Sequence, residues 1–167
     1  MHLILETKHL YLRRFTGADA LLILELNSFP EVVKYVHEPV MTDLSQAEDV
    51  LMNIILPQYE RNLGRWAMHQ KTDDAFVGWC GLKFRPELGE IDLGYRLHPN
   101  YWGRGYASEA ALATLEYGHR QLNLSRITGR AHIENIASLK ILRKIGMQFR
   151  CFETVDDCPV ETYDSFQ

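Results

Sequence analysis

The sequence predicts an α+β fold in which one mixed sheet of six to seven strands carries helices on both faces. Two observations support this prediction. In the middle of the chain, three strand candidates follow one another with only short turns between them, which is typical of antiparallel hairpins. After residue 100, helical and strand-like segments alternate, and strands that are joined through helices pair in parallel. Because antiparallel strands come first, a doubly wound Rossmann arrangement is excluded.

The size and composition of the chain predict a single domain over residues 1–167. The 167 residues are 46% hydrophobic and 24% charged, which is ordinary for a globular protein. No internal repeat or Pro/Gly-rich linker interrupts them. Two independent folding units would each lie near the lower size limit of a domain.

The first predicted elements are a strand and two helices. Residues 10–15 alternate in part between apolar and polar and predict a strand, and a helix follows at about 18–28. A second helix begins near Thr42 and Asp43, and Pro57 kinks or ends it. Ser45 and Glu48 resemble a capping pair near its start. The face that this helix buries is expected to comprise Leu44, Ala47, Leu51, Ile54 and Ile55.

The period of the pattern then changes from helix to strand. Residues 65–70, 75–84 and 90–97 predict three strands, separated by turn-forming residues at 71–74 and 85–89. The remaining predicted elements are a helix at about 105–121, a strand at 126–132, a helix at 136–145 and strands at 147–155 and 161–167.

Charge and cysteine content limit the classes of function. The net charge is −4, but residues 91–150 carry nine basic and four acidic side chains, whereas residues 151–167 carry five acidic and no basic ones. A basic middle segment suits a phosphorylated ligand. Binding to a nucleic acid backbone is not expected, because the isoelectric point is near 6.0 and the basic residues are not interleaved with aromatic ones.

The chain is expected to be cytoplasmic. Its three cysteines are too few and too irregularly spaced for a disulfide framework, which indicates a reducing compartment. Met1 to Glu6 contain neither a basic leader nor a long apolar stretch, so no secretory signal is predicted. The longest apolar runs are far shorter than the ~20 residues of a membrane span, so no membrane association is expected.

A loop with two glycines joins the strand at 90–97 to the Ala-rich helix. Gly103 and Gly105 allow backbone N–H groups to approach a ligand closely, and the helix N-terminus adds partial positive charge. Arg104 supplies a formal charge that suits phosphate. These features favour a pyrophosphate-binding loop, and an ordinary tight turn between strand and helix is the alternative.

Two other phosphate-binding loops are excluded by their motifs. The chain has no G-x-x-x-x-G-K-[ST] segment, so the lysine of the NTPase loop is missing. The dinucleotide fingerprint requires a third glycine where this chain has Ser108.

The segment Trp102-Gly103-Arg104-Gly105-Tyr106-Ala107 resembles the acetyl-CoA loop, [QR]-x-x-G-x-[GA], of the GNAT superfamily of N-acetyltransferases. Gly105 and Ala107 match this pattern. Trp102 replaces the leading Gln or Arg, as is usual in the Rim-type branch, which acetylates the N-termini of ribosomal proteins.

Two further motifs carry the same resemblance, which spans nearly the whole chain. The segment from Asn135 to Met147 looks like the N-x-x-S-x-x-x-x-x-K-x-G-[FM] motif of the Rim-type branch. The opening Thr7-Lys8-x-Leu10-x-Leu12-Arg13, followed by Asp19, resembles the start of that branch.

The resemblance implies a GNAT-like sheet and direct transfer of an acetyl group from acetyl-CoA to an amine. It implies that the strand at 90–97 distorts at Gly94, where a backbone N–H stabilises the oxyanion, and splays from the strand at 126–132 to admit the pantetheine arm. The implied acetyl-CoA-binding residues are Leu97, Trp102, Gly103, Arg104, Gly105, Tyr106, Ala107, Ser108, Asn135 and Ser138.

Asn135 and Ser138 also have a structural explanation. Asn135 is a good N-cap for the helix at 136–145, Ser138 falls in its first turn, and Gly146 suits its C-terminus. The resemblance assigns them further tasks. Asn135 would contact the pantetheine arm or the substrate backbone, and Ser138 would protonate the leaving thiolate.

The general base is predicted to be Asp92 or Glu90, acting through water. Both precede Gly94 on the strand at 90–97, and alternation places them on its face. His69 and His132 are alternative bases. No cysteine is placed as a nucleophile and no metal-binding motif is present, so neither an acyl-enzyme nor a metal site is expected.

The most favoured acceptor is the α-amine of a protein or peptide N-terminus. A small-molecule amine, such as an aminoglycoside or a polyamine, is the alternative acceptor. A module that binds acetyl-CoA without turnover is a third possibility, which the presence of Ser138 disfavours. The protein is expected to act as a monomer or a homodimer.

Overall fold

A computed structural model describes residues 1–167 and contains one sheet of eight strands in the order β1-β2-β3-β4-β5-β6-β8-β7. The sequence predicted six to seven strands, and the additional one is β1, whose four residues are too few to show a clear alternation. The strands are β1 (Leu3–Glu6), β2 (Leu10–Arg14), β3 (Gly64–Gln70), β4 (Phe76–Arg85), β5 (Glu90–Leu97), β6 (Arg126–His132), β7 (Gln148–Val155) and β8 (Cys158–Phe166).

The strand pairing confirms the mixed sheet. Strands β1 to β5 are antiparallel neighbours, and β5 pairs with β6 in parallel, as strands joined through a helix should. The expectation of a parallel pair between β6 and β7 is wrong, because β8 lies between them and pairs antiparallel with both. A tight turn at Asp156 and Asp157, both with positive φ, folds β8 back along β7.

Six α-helical segments accompany the sheet. They are α1 (Ala20–Asn27), α2 (Pro30–Val33), α3 (Leu44–Val50), α4 (Leu56–Gln58), α5 (Tyr106–Arg120) and α6 (Ile136–Lys144). A π-helical turn, Leu51–Ile55, links α3 to α4. None of the helices has the length and apolar character that a membrane span requires.

The helix predicted from Thr42 differs in its cap and in its buried face. Asp43, not Ser45, is the N-cap, and its side chain accepts a hydrogen bond from the backbone N–H of Gln46. Of the predicted face, Ala47, Leu51 and Ile55 are buried. Leu44, the first residue of α3, is exposed. Ile54 is exposed because the wider π-helical turn keeps every fourth residue, Ala47, Leu51 and Ile55, on the buried face.

Two apolar cores lie on opposite faces of the sheet. The larger one packs α5 and α6 against the sheet through residues such as Leu93, Leu115 and Leu142. The smaller one packs α1, α3 and the π-helical turn against β3 through Ile23 and Ala67. The two faces of β5 therefore point into different surroundings.

Candidate active site

The sheet opens between β5 and β6. These two strands pair only at Asp92 with Thr128 and at Leu93 with Gly129. Beyond these pairs, β5 continues to Leu97 without a partner on its β6 side. The splay that the sequence predicted between these strands is therefore present.

The predicted distortion of β5 at Gly94 is absent. The pairing of β4 with β5 runs without a register shift, and Gly94 lies opposite Gly81. A Cβ on Gly94 would approach the Trp79 indole to 3.3 Å. The indole ring crosses β5 at this position and leaves little room for a side chain, which explains why the residue is glycine. The backbone of β5 is regular here.

The loop after β5 is fastened to the end of that strand. The indole Nε1 of Trp102 donates a hydrogen bond to the carbonyl oxygen of Leu97 at 2.9 Å. Gly103 and Gly105 have φ values of 75° and 81°, a conformation that favours glycine. A Cβ on either would meet no atom within 4 Å, so both glycines border open space.

Six consecutive backbone N–H groups, from Gly103 to Ser108, donate to no acceptor within the chain, and the first helical hydrogen bond of α5 runs from Glu109 to Gly105. Such a row of free donors at a helix N-terminus is an anion-binding arrangement. The Arg104 guanidinium lies beside it, 5.3 Å from the centroid of the Tyr101 ring. The predicted loop has the geometry of a pyrophosphate cradle.

Glu109 anchors the start of α5, a role that the sequence reasoning missed. Its carboxylate accepts hydrogen bonds from the His9 backbone N–H at 2.8 Å and from the Thr7 hydroxyl, and it lies 2.7 Å from His9 Nδ1. Burial disfavours its ionisation, but these hydrogen bonds outweigh that effect and lower the pKa of Glu109. The motif that begins at Thr7 thus holds the cradle against the β1–β2 turn.

Asn135 and Ser138 lie at the start of α6, beside the opening. Asn135 is the N-cap, and its side-chain oxygen accepts a hydrogen bond from the Ser138 backbone N–H at 3.2 Å. The Ser138 hydroxyl shares a hydrogen bond of 2.7 Å with the hydroxyl of Tyr95 on β5. Burial raises the pKa of Tyr95, which keeps the phenol protonated.

Tyr95 was not predicted as a site residue. Strand alternation could have predicted its orientation: Tyr95 follows Gly94 on β5, so its side chain points to the face opposite that glycine. The structure places Ser138 and Tyr95 on the α6 side of the sheet, whereas Gly94 borders Trp79 on the other side.

Glu90 is held by arginines. Its carboxylate accepts hydrogen bonds from Arg126 at 3.1 Å, from Arg150 at 2.9 Å and from Arg130. Burial opposes ionisation, but the bonds from Arg150 and Arg130 prevail and hold the pKa of Glu90 at about 2. A carboxylate with so low a pKa is a weak base.

Asp92 lies closer to the opening, in the last paired region of β5 and β6. It accepts hydrogen bonds from Arg130 at 2.6 Å and from Arg85 at 3.2 Å. Burial raises the pKa of Asp92, and the charges of Arg130 and Arg85 offset only part of this rise. Of the two carboxylates, Asp92 is the stronger base.

Neither alternative histidine presents a free basic nitrogen at the opening. His69 is buried on β3, which β4 separates from β5, and burial lowers its pKa. His132 ends β6, but its Nδ1 accepts a hydrogen bond from the Glu134 backbone N–H at 3.1 Å. The neutral ring of His132 therefore carries its proton on Nε2. No group of three or more His, Cys, Asp or Glu side chains is arranged to hold a metal ion.

Comparisons with known proteins agree with this geometry. Residues 9–148 match the family described as acetyltransferase (GNAT) domain. The chain is 37% identical over 145 residues to an uncharacterized N-acetyltransferase of Bacillus licheniformis, which covers 86% of this chain and 82% of that protein.

Solved structures with the same fold differ in what they acetylate. RimL, a ribosomal-protein α-N-acetyltransferase in complex with coenzyme A, has a TM-score of 0.82 at 14% identity, covering 99% of this chain and 98% of its own. A spermidine N-acetyltransferase from Vibrio cholerae, in complex with CoA and spermine, has a TM-score of 0.78 at 17% identity, covering 95% of each chain.

Proposed function

The chain belongs to the GNAT family of acetyltransferases, and from this premise we propose that it transfers the acetyl group of acetyl-CoA directly to the α-amine of a protein or peptide. The row of free N–H groups from Gly103 to Ser108, next to the opening between β5 and β6, carries the proposal. Acetyl-CoA supplies an activated acetyl thioester, and the chain binds it, orients it and moves protons.

The cradle would hold the pyrophosphate of acetyl-CoA. Donors from Gly103 to Ser108 are ready to bind phosphate oxygens, and Arg104 adds a positive charge beside them. The pantetheine arm would run from this cradle into the opening, past Leu97 and Trp102 at the end of β5 and Asn135 at the start of α6.

The two faces of the sheet divide the proton transfers between them. The amine approaches on the face of Gly94, and its nitrogen forms a bond to the acetyl carbon as the carbon–sulfur bond breaks. Ser138, on the opposite face, donates a proton to the departing thiolate and takes one back from solvent, while Tyr95 holds its hydroxyl in place. Asp92, on the Gly94 face, accepts the proton of the amine through water.

An α-amine suits a site whose carboxylate base is held by arginines. Its ordinary pKa of about 7.7–8.0 lies well below the ~10.4 of a lysine side chain, so its deprotonation at neutral pH costs about 3 kcal/mol less. RimL, a fold neighbour that acetylates α-amines, supports this acceptor. The spermidine acetyltransferase supports a small-molecule amine as the second candidate.

The reduced cysteines agree with a reaction in the cytoplasm.

Release of the CoA thiol from acetyl-CoA tests the proposal. A short peptide with a free N-terminus should release thiol in proportion to its concentration, and the same peptide with a blocked N-terminus should not. Spermidine serves as the small-molecule acceptor. Binding of acetyl-CoA without thiol release from any of these amines would show a non-catalytic module.

A further inference from the structure

Two glycines lie side by side on the face of the sheet that carries Trp79 and Asp92. Gly94 on β5 lies opposite Gly81 on β4, and Gly81 lies opposite Arg65 on β3. The Trp79 indole crosses Gly94, and the β3 backbone packs closely against Gly81. Lys83 follows Gly81 on the same face of β4, so Arg65 and Lys83 lie on either side of the glycine pair.

The side chains of Arg65 and Lys83 form no salt bridge. The Arg65 guanidinium lies over the Trp79 indole, 4.7 Å from its centroid. Lys83 is partly buried and lies opposite Asp92, whose carboxylate is bound by Arg85 and Arg130 instead. Burial lowers the pKa of Lys83, and the charges of Arg65 and Arg85 lower it further.

The other basic side chains on this face are paired. The pairs are Arg13 with Asp19, Arg85 with Asp92, Arg96 with Glu38, Arg126 with Glu90 and Asp164, Arg130 with Glu90 and Asp92, and Arg150 with Glu90 and Asp164. The unpaired charges of Arg65 and Lys83 thus flank the glycine pair, near which the acceptor amine would lie.

We propose that the acceptor carries a carboxylate close to its amine, and that Lys83 and Arg65 bind this carboxylate. The inference rests on the proposed acetyl transfer and specifies the acceptor. Lys83 lies two residues along β4 from the glycine pair, a separation of about 6–7 Å. An extended peptide advances ~3.3 Å per residue, so the acidic side chain belongs at the second or third residue of an N-terminal peptide.

The same charges disfavour a polycationic acceptor. A positive wall repels a second ammonium group, whereas a carboxylate relieves the repulsion between Lys83 and Arg65. Arg65 and Lys83 therefore favour an acidic acceptor over a polycationic one.

Matched acceptors test this proposal. The thiol-release assay compares the peptide amides Ser-Asp-Glu-Phe and Ser-Asn-Gln-Phe, which differ only in charge, together with spermidine. We expect kcat/KM for the acidic peptide to exceed that for the neutral one by at least about tenfold, since hydrogen bonds to charged groups are strong. Equal values for the two peptides, or a preference for spermidine, would overturn the proposal.

Variants then locate the effect. Lys83→Gln should lower kcat/KM for the acidic peptide by about tenfold and change that for the neutral peptide by less than about twofold. Arg65→Gln should act in the same direction, and Arg120→Gln, which removes an exposed charge at the end of α5, should not. Equal losses on both peptides would contradict the assignment.

The failure of this inference differs from the failure of acetyl transfer itself. If no amine releases thiol, the proposed function is wrong. If neutral or cationic amines react and the acidic peptide has no advantage, acetyl transfer stands and the carboxylate-binding role of Lys83 and Arg65 falls. Circular dichroism and acetyl-CoA binding by calorimetry confirm that each variant is folded before its kinetics are compared.

Discussion

At the scale of single residues, Ser138 has the arrangement of a proton donor. Its hydroxyl is fixed by Tyr95 at 2.7 Å, and its backbone N–H is already satisfied by Asn135. A serine that only stabilised the helix start would not need a partner from β5. The hydroxyl is therefore available to a ligand in the opening.

Replacing Ser138 by alanine should lower kcat at least about tenfold and leave acetyl-CoA affinity unchanged. A positioned acid contributes ~10²–10⁴-fold, and water can substitute in part. Steady-state kinetics and calorimetry measure the two quantities. Ser45→Ala is a matched control, because Ser45 also lies in the first turn of a helix beside its N-cap. Normal turnover of the Ser138 variant would return this serine to a structural role.

Tyr95→Phe should reproduce part of the Ser138→Ala defect. Loss of the phenol frees the serine hydroxyl to rotate, so kcat should fall by about threefold to tenfold with unchanged acetyl-CoA affinity. The double variant separates positioning from catalysis. If Tyr95 acts through Ser138, adding Tyr95→Phe to Ser138→Ala should cause little further loss, whereas multiplied losses would show an independent role.

Asp92→Asn should remove the acidic limb of the pH profile of kcat/KM. A base works only when it is deprotonated, and burial raises the pKa of Asp92, so wild-type activity should fall as the pH drops through that raised value. Glu60→Gln, a change on the exposed turn before β3, is the control. An acidic limb that persists in the Asp92 variant would exclude Asp92 as the base.

Residue-scale prediction from the sequence succeeded where local chemistry decides. Asn135 as an N-cap and the two glycines of the loop follow from backbone requirements that act within a few residues. The engagement of Glu90 by arginines from β6 and β7 could not be read in this way, because those strands lie far away in the chain.

At the scale of elements, the start of α5 is the part of the chain that we propose to bind the pyrophosphate of acetyl-CoA. Gly105 has a φ of 81°, and a side chain there would project into open space in front of the free N–H groups. In the free protein a side chain at Gly105 would cost backbone strain but meet no atom, whereas a bound phosphate would occupy the same space.

Gly105→Val should abolish acetyl-CoA binding in a protein that remains folded. Backbone strain at a positive φ costs about 1–2 kcal/mol, which a domain of this size tolerates. Calorimetry measures binding, and circular dichroism reports the fold. Unchanged affinity in a folded variant would show that the phosphate lies elsewhere.

Arg104→Glu should weaken acetyl-CoA binding more than Arg61→Glu at the same salt concentration. Both arginines are exposed and stack near an aromatic ring, but only Arg104 adjoins the cradle. A charge that contacts phosphate directly is screened less than a distant one. Similar losses for the two variants would remove Arg104 from the phosphate site.

Elements that obey a simple period were predicted well, and those set by tertiary packing were not. The strand over residues 126–132 has the predicted bounds, and β5 covers the predicted residues 90–97. The position of β8 between β6 and β7 was missed, because hairpin formation at Asp156 and Asp157 depends on two aspartates that adopt positive φ. The π-helical turn before α4 likewise has no marker in the sequence.

At the scale of the whole molecule, charge pairs hold together two parts of the sheet that few hydrogen bonds connect. The pair β5 and β6 has only two paired positions, so the block of β6, β8 and β7 is weakly joined to the rest through the backbone. Glu90 bridges this junction by binding arginines of β6 and β7. The opening between β5 and β6 thus coexists with a junction that these ion pairs hold together.

Glu90→Gln should therefore lower the free energy of unfolding and reduce its dependence on acidic pH. The folded-state pKa of about 2 is depressed from the ordinary 4.5, so the unfolded chain binds the proton more tightly between these values. The stability that Glu90 contributes is present in full above pH 4.5 and is lost as the pH falls toward 2. Glutamine keeps an acceptor but not the charge, so at neutral pH we expect the free energy of unfolding to fall by about 1–3 kcal/mol.

Urea unfolding followed by circular dichroism between pH 3 and 7 measures both effects, with Glu60→Gln as the exposed control. If the Glu90 variant lost stability below pH 4.5 as steeply as the wild type, other groups would be responsible for acid sensitivity, and the junction would not depend on Glu90.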